Sequence, residues 1–554
     1  MSDHNHRPAY RRTSAPPRKP RRTRTRSRSR SQGYVQSAPR SMSRRPRRRS
    51  PAAALAFLVL IVLLPLIASG VALWVFTRPL TLTYAAIPAD ATIVCTQAGA
   101  EATGTLSAGD LKPGTYSVEV FRSGFATHTA DVDVKRFRTN RFQVELEPLP
   151  WPVTITTKPE GAACTISRDG EELLAGASTI TGEVLAGPAV LRVVHEGYNV
   201  VEREVFIDEP ATFEIWLDPE GQILHGVRTI GTLGAPKGVS VTPDGSEAWT
   251  SILNGPPSIE IFNPKTGKKT GEVDIGEHGA VEVIFNKAGT LAYTSQMETA
   301  KCFEIDVKTR KVLREFDTES AWTKWVSLSP DEQTLYASNW SGNDVSEIDL
   351  KTGELVRRMR VSKTPRGMYA TADGKALYVA GFDSGHLERI DLATGKVTAL
   401  YTEGGALRHI VGDEKTGRLF ISDMAKNLIL VHDMKSGVTK KFVDTDEKPN
   451  TIDLTPDGKL LFVSCRGANN PKSYYIPGPE WGSILVFDTA NGKGLDAVIA
   501  GNQPTALDVS DDGTTLVFSD FLDNRLRVFE IPQYEEFAKG DGGRFDARKA
   551  EIKK

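Results

Sequence analysis

The chain has 554 residues, 40% of them hydrophobic, and a formal net charge of zero. That length excludes a single core, so several domains are expected. The neutral total averages two different electrostatic objects: residues 1–50 carry 17 Lys and Arg against one acid, Asp3, and the remainder is net −16.

Residues 1–50 are rich in Arg, Ser and Pro, with RRTRTRSRSRS running from Arg21 to Ser31. So few apolar side chains cannot form a core, and a disordered cytoplasmic tail is expected. Its partners would be anionic lipid headgroups, or it would fix membrane topology, or it would meet an acidic cytoplasmic partner. Only Tyr10 and Tyr34 are available to stack on bases, so nucleic acid is not expected as a partner.

Residues 51–76, PAAALAFLVLIVLLPLIASGVALWVF, carry no charge. About 25 such residues suffice to cross ~30 Å of hydrocarbon as a transmembrane helix. Arg44, Arg45, Arg47, Arg48 and Arg49 lie directly before it. By the positive-inside rule this predicts a single-pass protein of a bacterial cytoplasmic membrane, with its N-terminus cytoplasmic and its later domains periplasmic or extracellular. A cleaved signal peptide is the rival reading, with Ala68-Ser69-Gly70 as the cleavage region. The apolar run extends to Phe76, past the usual end of such a peptide.

Two segments of similar pattern follow, residues 80–148 and 151–218. Both alternate with period two in short runs such as TYSVEVF at Thr115 to Phe121, broken by Gly and Pro. That predicts two small antiparallel β-sandwiches. The second segment contains Pro159-Glu160-Gly161-Ala162 and a later Gly197-Tyr198, and on these residues it resembles a PEGA domain. The first reads Pro88-Ala89-Asp90-Ala91, Pro113-Gly114 and Gly124-Phe125, a more divergent copy. The resemblance implies exported spacer or surface-binding modules and no catalysis.

From residue 222 to 533 the chain repeats itself. A phrase of roughly 42 residues recurs seven times between Pro236 and Phe529, the signature of a β-propeller. Its core column is Trp249, Tyr293, Tyr336, Tyr378, Phe420, Phe462 and Val517. Two residues later stands a small side chain: Ser251, Ser295, Ser338, Ala380, Ser422, Ser464 and Ser519. Turns of the type Thr242-Pro243-Asp244-Gly245 and hairpins of the type Asp349-x-x-Thr352-Gly353 separate the strands. The seventh phrase lacks a fourth strand, whereas an orphan strand, Leu224 to Leu233, precedes the first phrase. That strand is expected to complete the seventh blade and close the ring. The repeats resemble the YVTN (YncE-like) seven-bladed propeller family, whose tetrad stands here as Tyr336-Ala337-Ser338-Asn339 and, loosely, Tyr378-Val379-Ala380-Gly381. The expected fold is therefore all-β: a seven-bladed β-propeller preceded by two PEGA-like sandwiches, one transmembrane helix and a disordered basic tail. Residues 534–554 read as a polar C-terminal tail.

The four cysteines, Cys95, Cys164, Cys302 and Cys465, lie in separate strands without metal-ligand spacing and read as small buried residues. No hydrolase, metalloprotease, phosphate-loop or calcium-loop motif is present, so no catalytic residue, metal ligand or cofactor is assigned. Candidate ligand residues come instead from superposing the repeats. Twelve residues before each core aromatic stand Lys237, Val281, Lys324, Arg366, Arg408, Asn450 and Thr505, of which four are cationic. The next position holds Gly238, Glu282, Trp325, Gly367, His409, Thr451 and Ala506. Innermost strands line the axis of a propeller, so Lys237, Glu282, Lys324, Trp325, Arg366, Arg408, His409 and Asn450 are expected to bind an anionic ligand such as a carboxylate, phosphate or acidic sugar. The sixth repeat carries an insertion, CRGANNPKSYYIPGPEWGS. Its Tyr474, Tyr475 and Trp481, with Trp340 of the third repeat, are candidate partner contacts. The expected function is a membrane-anchored extracytoplasmic binding or scaffold protein for an envelope protein, a glycan or a small anion. A propeller enzyme of quinone-dependent oxidoreductase, lactonase or lyase type is the alternative.

Overall fold

A computed structural model describes residues 51–97 and 111–554. The basic tail expected at 1–50 lies outside the described residues. Among the described residues, those up to Pro79 and those from Leu80 on form separate units. The first contains one 27-residue helix, Pro51–Thr77, with Pro65 inside it. Its side chains are described from Val62 on, a stretch shorter than the ~20 apolar residues a crossing needs. Among the described residues no helix is long and apolar enough to cross a membrane. The span expected at 51–76 therefore rests on the sequence.

The second unit is almost entirely β. In residues 80–148, Leu82–Ile87 pairs in parallel with Asn140–Glu145, and Thr92–Gln97, Gly114–Phe121 and His128–Val134 form an antiparallel sheet. Alternate residues Tyr116, Val118 and Val120 point into the core with Leu82, Cys95 and Val134. In residues 151–218 the plan recurs: Pro150–Lys158 pairs in parallel with Ala211–Trp216. Gly187–Val194 stands between Ala163–Arg168 and Val201–Ile207. First strand beside last strand in both halves makes these one module used twice.

Seven four-stranded antiparallel sheets follow among the described residues from 225 to 530. They are numbered one to seven here by their first strands: Pro236–Val241, Val283–Phe285, Thr323–Leu328, Pro365–Ala370, Leu407–Asp413, Pro449–Leu454 and Pro504–Val509. Each first strand touches that of the next sheet, and the seventh touches the first, so the innermost strands form a closed ring. This is the arrangement of a β-propeller. The core aromatics are buried between neighbouring sheets: Trp249 packs edge-on against Phe285 of sheet two at 5.3 Å.

Closure follows the sequence expectation. His225–Gly231 pairs antiparallel with Arg525–Glu530 and supplies the outer strand of sheet seven. The Asp496 carboxylate accepts hydrogen bonds from the Ile223 and Leu224 amides at 2.9 and 2.8 Å, pinning the entry of that strand to sheet six. An edge that would otherwise be open is thereby paired.

A second device positions the axis-facing residues. In six of the seven sheets the register of the first strand slips at the residues that face the axis, as between Pro236 and Val239 or Leu407 and Ile410. Such a bulge re-aims side chains and leaves backbone groups unpaired. The buried serine two residues after the core aromatic takes them up. Ser422 Oγ accepts from the His409 amide at 3.1 Å and donates to the Asn450 carbonyl of the next sheet at 2.7 Å. Ser251 does the same with Gly238 and Val281, at 2.7 Å each. Ser295 and Ser338 donate to the carbonyls of Lys324 and Arg366.

The last residues return to the propeller as two short helices, Tyr534–Lys539 and Gly543–Glu551. Phe537 is fully buried, and Phe545 packs edge-on against Phe487 at 5.3 Å. The sequence reading described only a polar tail here.

Replacing Ser422 with Ala leaves a buried amide and a buried carbonyl without their partner, so a loss of about 1–3 kcal/mol is expected. Urea denaturation followed by tryptophan fluorescence measures it; Ser384→Ala, at a site between strands, should stay within about 0.5 kcal/mol.

Candidate functional site

At one mouth of the ring lies a cavity of about 650 Å³. Its base is cationic: Lys237, Lys324, Arg366 and Arg408 from the first strands, joined by Arg466 and Lys448. One acid, Glu298, lines it. Arg366 is compensated from beneath, where its Nη2 donates to Glu282 Oε1 at 2.7 Å and its Nη1 to the Lys324 carbonyl at 2.9 Å. Arg466 donates to Gln503 Oε1. No hydrogen bond or ion pair engages the guanidinium of Arg408 among the described residues; the residue is only 6% exposed and opens on the cavity. Lys237 and Lys324 hold their ammonium groups over rings, Lys237 at 4.8 Å from Phe521 and Lys324 at 3.8 Å from Trp340.

The electrostatics reflect that crowding. Burial, and then the neighbouring Arg366 and Arg408, push Lys324 down to about 7. Burial and the surrounding Arg and Lys side chains hold Lys237 well below the usual lysine range. Burial lowers Arg408 as well, with Arg366 adding to it and Glu282 opposing it. For Glu282 burial raises the carboxyl, and Arg366, Arg408 and Lys237 draw it back.

The walls were not legible from the position that gave the cations. Four residues after each core aromatic stand Leu253, Met297, Trp340, Phe382, Met424, Arg466 and Phe521. The first six line the cavity, and Phe521 lies beneath Lys237. The superposition that revealed the cations, shifted to this column, would have found the walls. Tyr474 and Tyr475 of the sheet-six insertion complete the rim, their rings 4.0 Å apart. Tyr474 is held through its carbonyl, which accepts from Gln503 Nε2 at 2.6 Å.

The structure thus brings together Lys237, Lys324, Arg366, Arg408, Trp340, Tyr474 and Tyr475. It places Glu282, Trp325, His409, Asn450 and Trp481 outside the lining. Trp325 and His409 pack on each other at 4.5 Å. His409 Nδ1 accepts from the Ile452 amide at 3.2 Å, and burial pushes the imidazole down to about 3, so it is neutral. It faces a separate cleft with Tyr369 and Asp453. Asn450 is fully buried, and neither atom of its amide has a partner among the described residues. Trp481 is engaged by the chain's own end: its amide donates to the Ile552 carbonyl at 2.7 Å, and Lys554 Nζ sits 4.3 Å from its ring centre. All four cysteines are free and buried.

No protein-family model matches the chain. It is 35% identical over 285 residues to antigen Lp49 of Leptospira interrogans, a match covering 50% of this chain and 61% of that protein. It is 22% identical over 169 residues to YncE of Salmonella typhimurium, described as an uncharacterized protein, covering 30% of this chain and 47% of the relative. These likenesses support a YncE-like β-propeller family. The matches take in less than two thirds of either relative. A solved chain of Kuenenia stuttgartiensis hydrazine synthase aligns with a TM-score of 0.47 at 20% identity, covering 54% of this chain and 96% of that one.

Lys324 titrates near 7 in the folded protein against 10.5 when unperturbed. The unfolded chain therefore binds more protons between those values, and stability rises with pH across that window. Denaturation midpoints taken from pH 7 to pH 10 should climb in the native protein, and Lys324→Met should reduce the climb.

Proposed function

We propose that the chain is an exported binding protein whose propeller receives a small anionic ligand in the axial cavity. The observation that carries this is Arg408: a residue only 6% exposed, whose guanidinium opens on the cavity without a protein partner, in a cluster where six lining cations face one lining acid. A buried charge is strongly unfavourable unless paired, and an anion supplies the pairing. Guanidinium donors match a carboxylate or phosphate in geometry as well as charge.

The setting we propose is the one the sequence suggests. The seven sheets form a seven-bladed propeller of the YVTN type, and the duplicated module of residues 80–148 and 151–218 is a pair of PEGA-like spacers. The charge-free helix Pro51–Thr77, preceded by the arginine cluster, anchors the protein in the cytoplasmic membrane with the propeller outside. The basic N-terminal segment meets anionic lipid headgroups. A relative bearing the name antigen is in keeping with an exported propeller. An envelope protein or glycan presenting an acidic group would reach the same cavity.

Isothermal titration of inorganic phosphate into the full-length protein tests the binding reading. Saturable binding is expected at pH 6.5, and sulfate, whose charge is constant above pH 6, should bind more weakly as pH rises beyond 7 and Lys324 loses its proton. Arg408→Met should weaken phosphate binding by about tenfold or more, the loss of one charge-assisted contact. Arg366 is a poorer choice, since its removal strands Glu282. Absence of any saturable anion binding, or a stoichiometric metal or quinone in the purified protein, would contradict the reading.

A further inference from the structure

The walls of the cavity say what the anion carries. Their aromatic side chains are not spread evenly. Trp322, Trp340 and Phe382 stand on sheets three and four, with Trp340 and Phe382 5.0 Å apart. Tyr474 and Tyr475 stand on sheet six, with Tyr475 6.3 Å from the fully buried Phe521 of sheet seven. In a ring of seven sheets these are two opposite sides. The arcs between them are filled by Leu253, Met297 and Met424, whose side chains are apolar and, for methionine, pliable. Several of these rings are exposed: Trp322 by 49% and Tyr475 by 52%. Exposed rings on two sides of a cavity with a charged base leave space that an inorganic ion alone would not fill.

Resting on the anion reading above, we propose that the natural ligand is a planar aromatic anion, its charged group toward Arg408 and its ring system between the two aromatic walls. A cavity of about 650 Å³ has the capacity for such a molecule; drug-sized ligands occupy ~300–1,000 Å³. Offset or edge-on contact with flat rings is favourable on both walls. Lys237 and Lys324, now over Phe521 and Trp340, can swing toward the anionic group and leave those ring faces free for the ligand.

Three phosphates that share one charged group separate the possibilities: inorganic phosphate, glucose 1-phosphate and 2-naphthyl phosphate. Each is titrated into the full-length protein in lipid nanodiscs, with empty discs as the blank. The proposal expects 2-naphthyl phosphate to bind about tenfold or more tighter than inorganic phosphate, the worth of aromatic contacts on both sides. Tyr475→Leu should remove most of that advantage while leaving inorganic phosphate within about twofold, and Trp340→Leu should also reduce it. Tyr475 is a rim residue, so its replacement does not threaten the fold. Equal affinity for all three phosphates, or tightest binding of glucose 1-phosphate, overturns the aromatic ligand and leaves the anion site standing. Failure of all three to bind overturns both.

Discussion

In four of the seven sheets the hydroxyl of a buried serine ties the sheet to the next at the residue that faces the axis, and the cavity depends on it. The bulge in six of the seven innermost strands frees backbone groups that no neighbouring strand can satisfy. Ser251 and Ser422 satisfy both at once, one in their own sheet and one in the next. Because the acceptor is the backbone of the ring residue itself, the hydrogen bond fixes where Val281, Lys324, Arg366 and Asn450 stand relative to their neighbours. Sheet four has Ala380 in place of the serine, and the residue it would have held is Arg408. Of the three guanidiniums that line the cavity, that of Arg408 lacks a protein partner, and its carbonyl lacks this tie, as do those of Lys237 and Thr505.

On that frame the chain builds a cluster that is unfavourable by itself. Two unit charges of one sign 4 Å apart repel by about 4 kcal/mol even at an effective dielectric near 20. Glu282 relieves Arg366, and aromatic faces relieve Lys237 and Lys324 in part. The remainder is visible in the lowered proton affinities of Lys237, Lys324 and Arg408. A ligand that binds only the folded state offsets such a cost by mass action. Destabilised charge and ligand affinity are in this account one quantity seen from two sides. Closure of the ring by His225–Gly231 and the bracing of the sheet-six insertion by the C-terminal helices keep the cluster from relaxing apart.

Much of this was legible in the sequence because a repeat lets positions be compared without a structure. The period gave the sheets, the missing fourth strand of the last phrase gave the closure, and the column twelve residues before each aromatic gave the cations. The column beside it misled. Trp325 and His409 are neighbours of the cationic positions in sequence, but they pack on each other beneath the cavity, and His409 faces the other cleft. Of the walls, Trp340, Tyr474 and Tyr475 were candidates from their loops, whereas Leu253, Met297, Phe382, Met424 and Arg466 escaped notice because they stand just past the second strands, where the phrases diverge in chemistry. The terminal helices escaped because only Phe537 and Phe545 anchor an otherwise polar, glycine-containing stretch.

The central claim is that the axial cluster is completed by an anion, and anomalous diffraction from crystals grown with tungstate tests it most directly. The account predicts one strong peak at the base of the cavity, within hydrogen-bonding distance of the Arg408 guanidinium, that disappears in Arg408→Met. A cavity without such a peak, with the Arg408 guanidinium turned onto a protein acceptor, would contradict it.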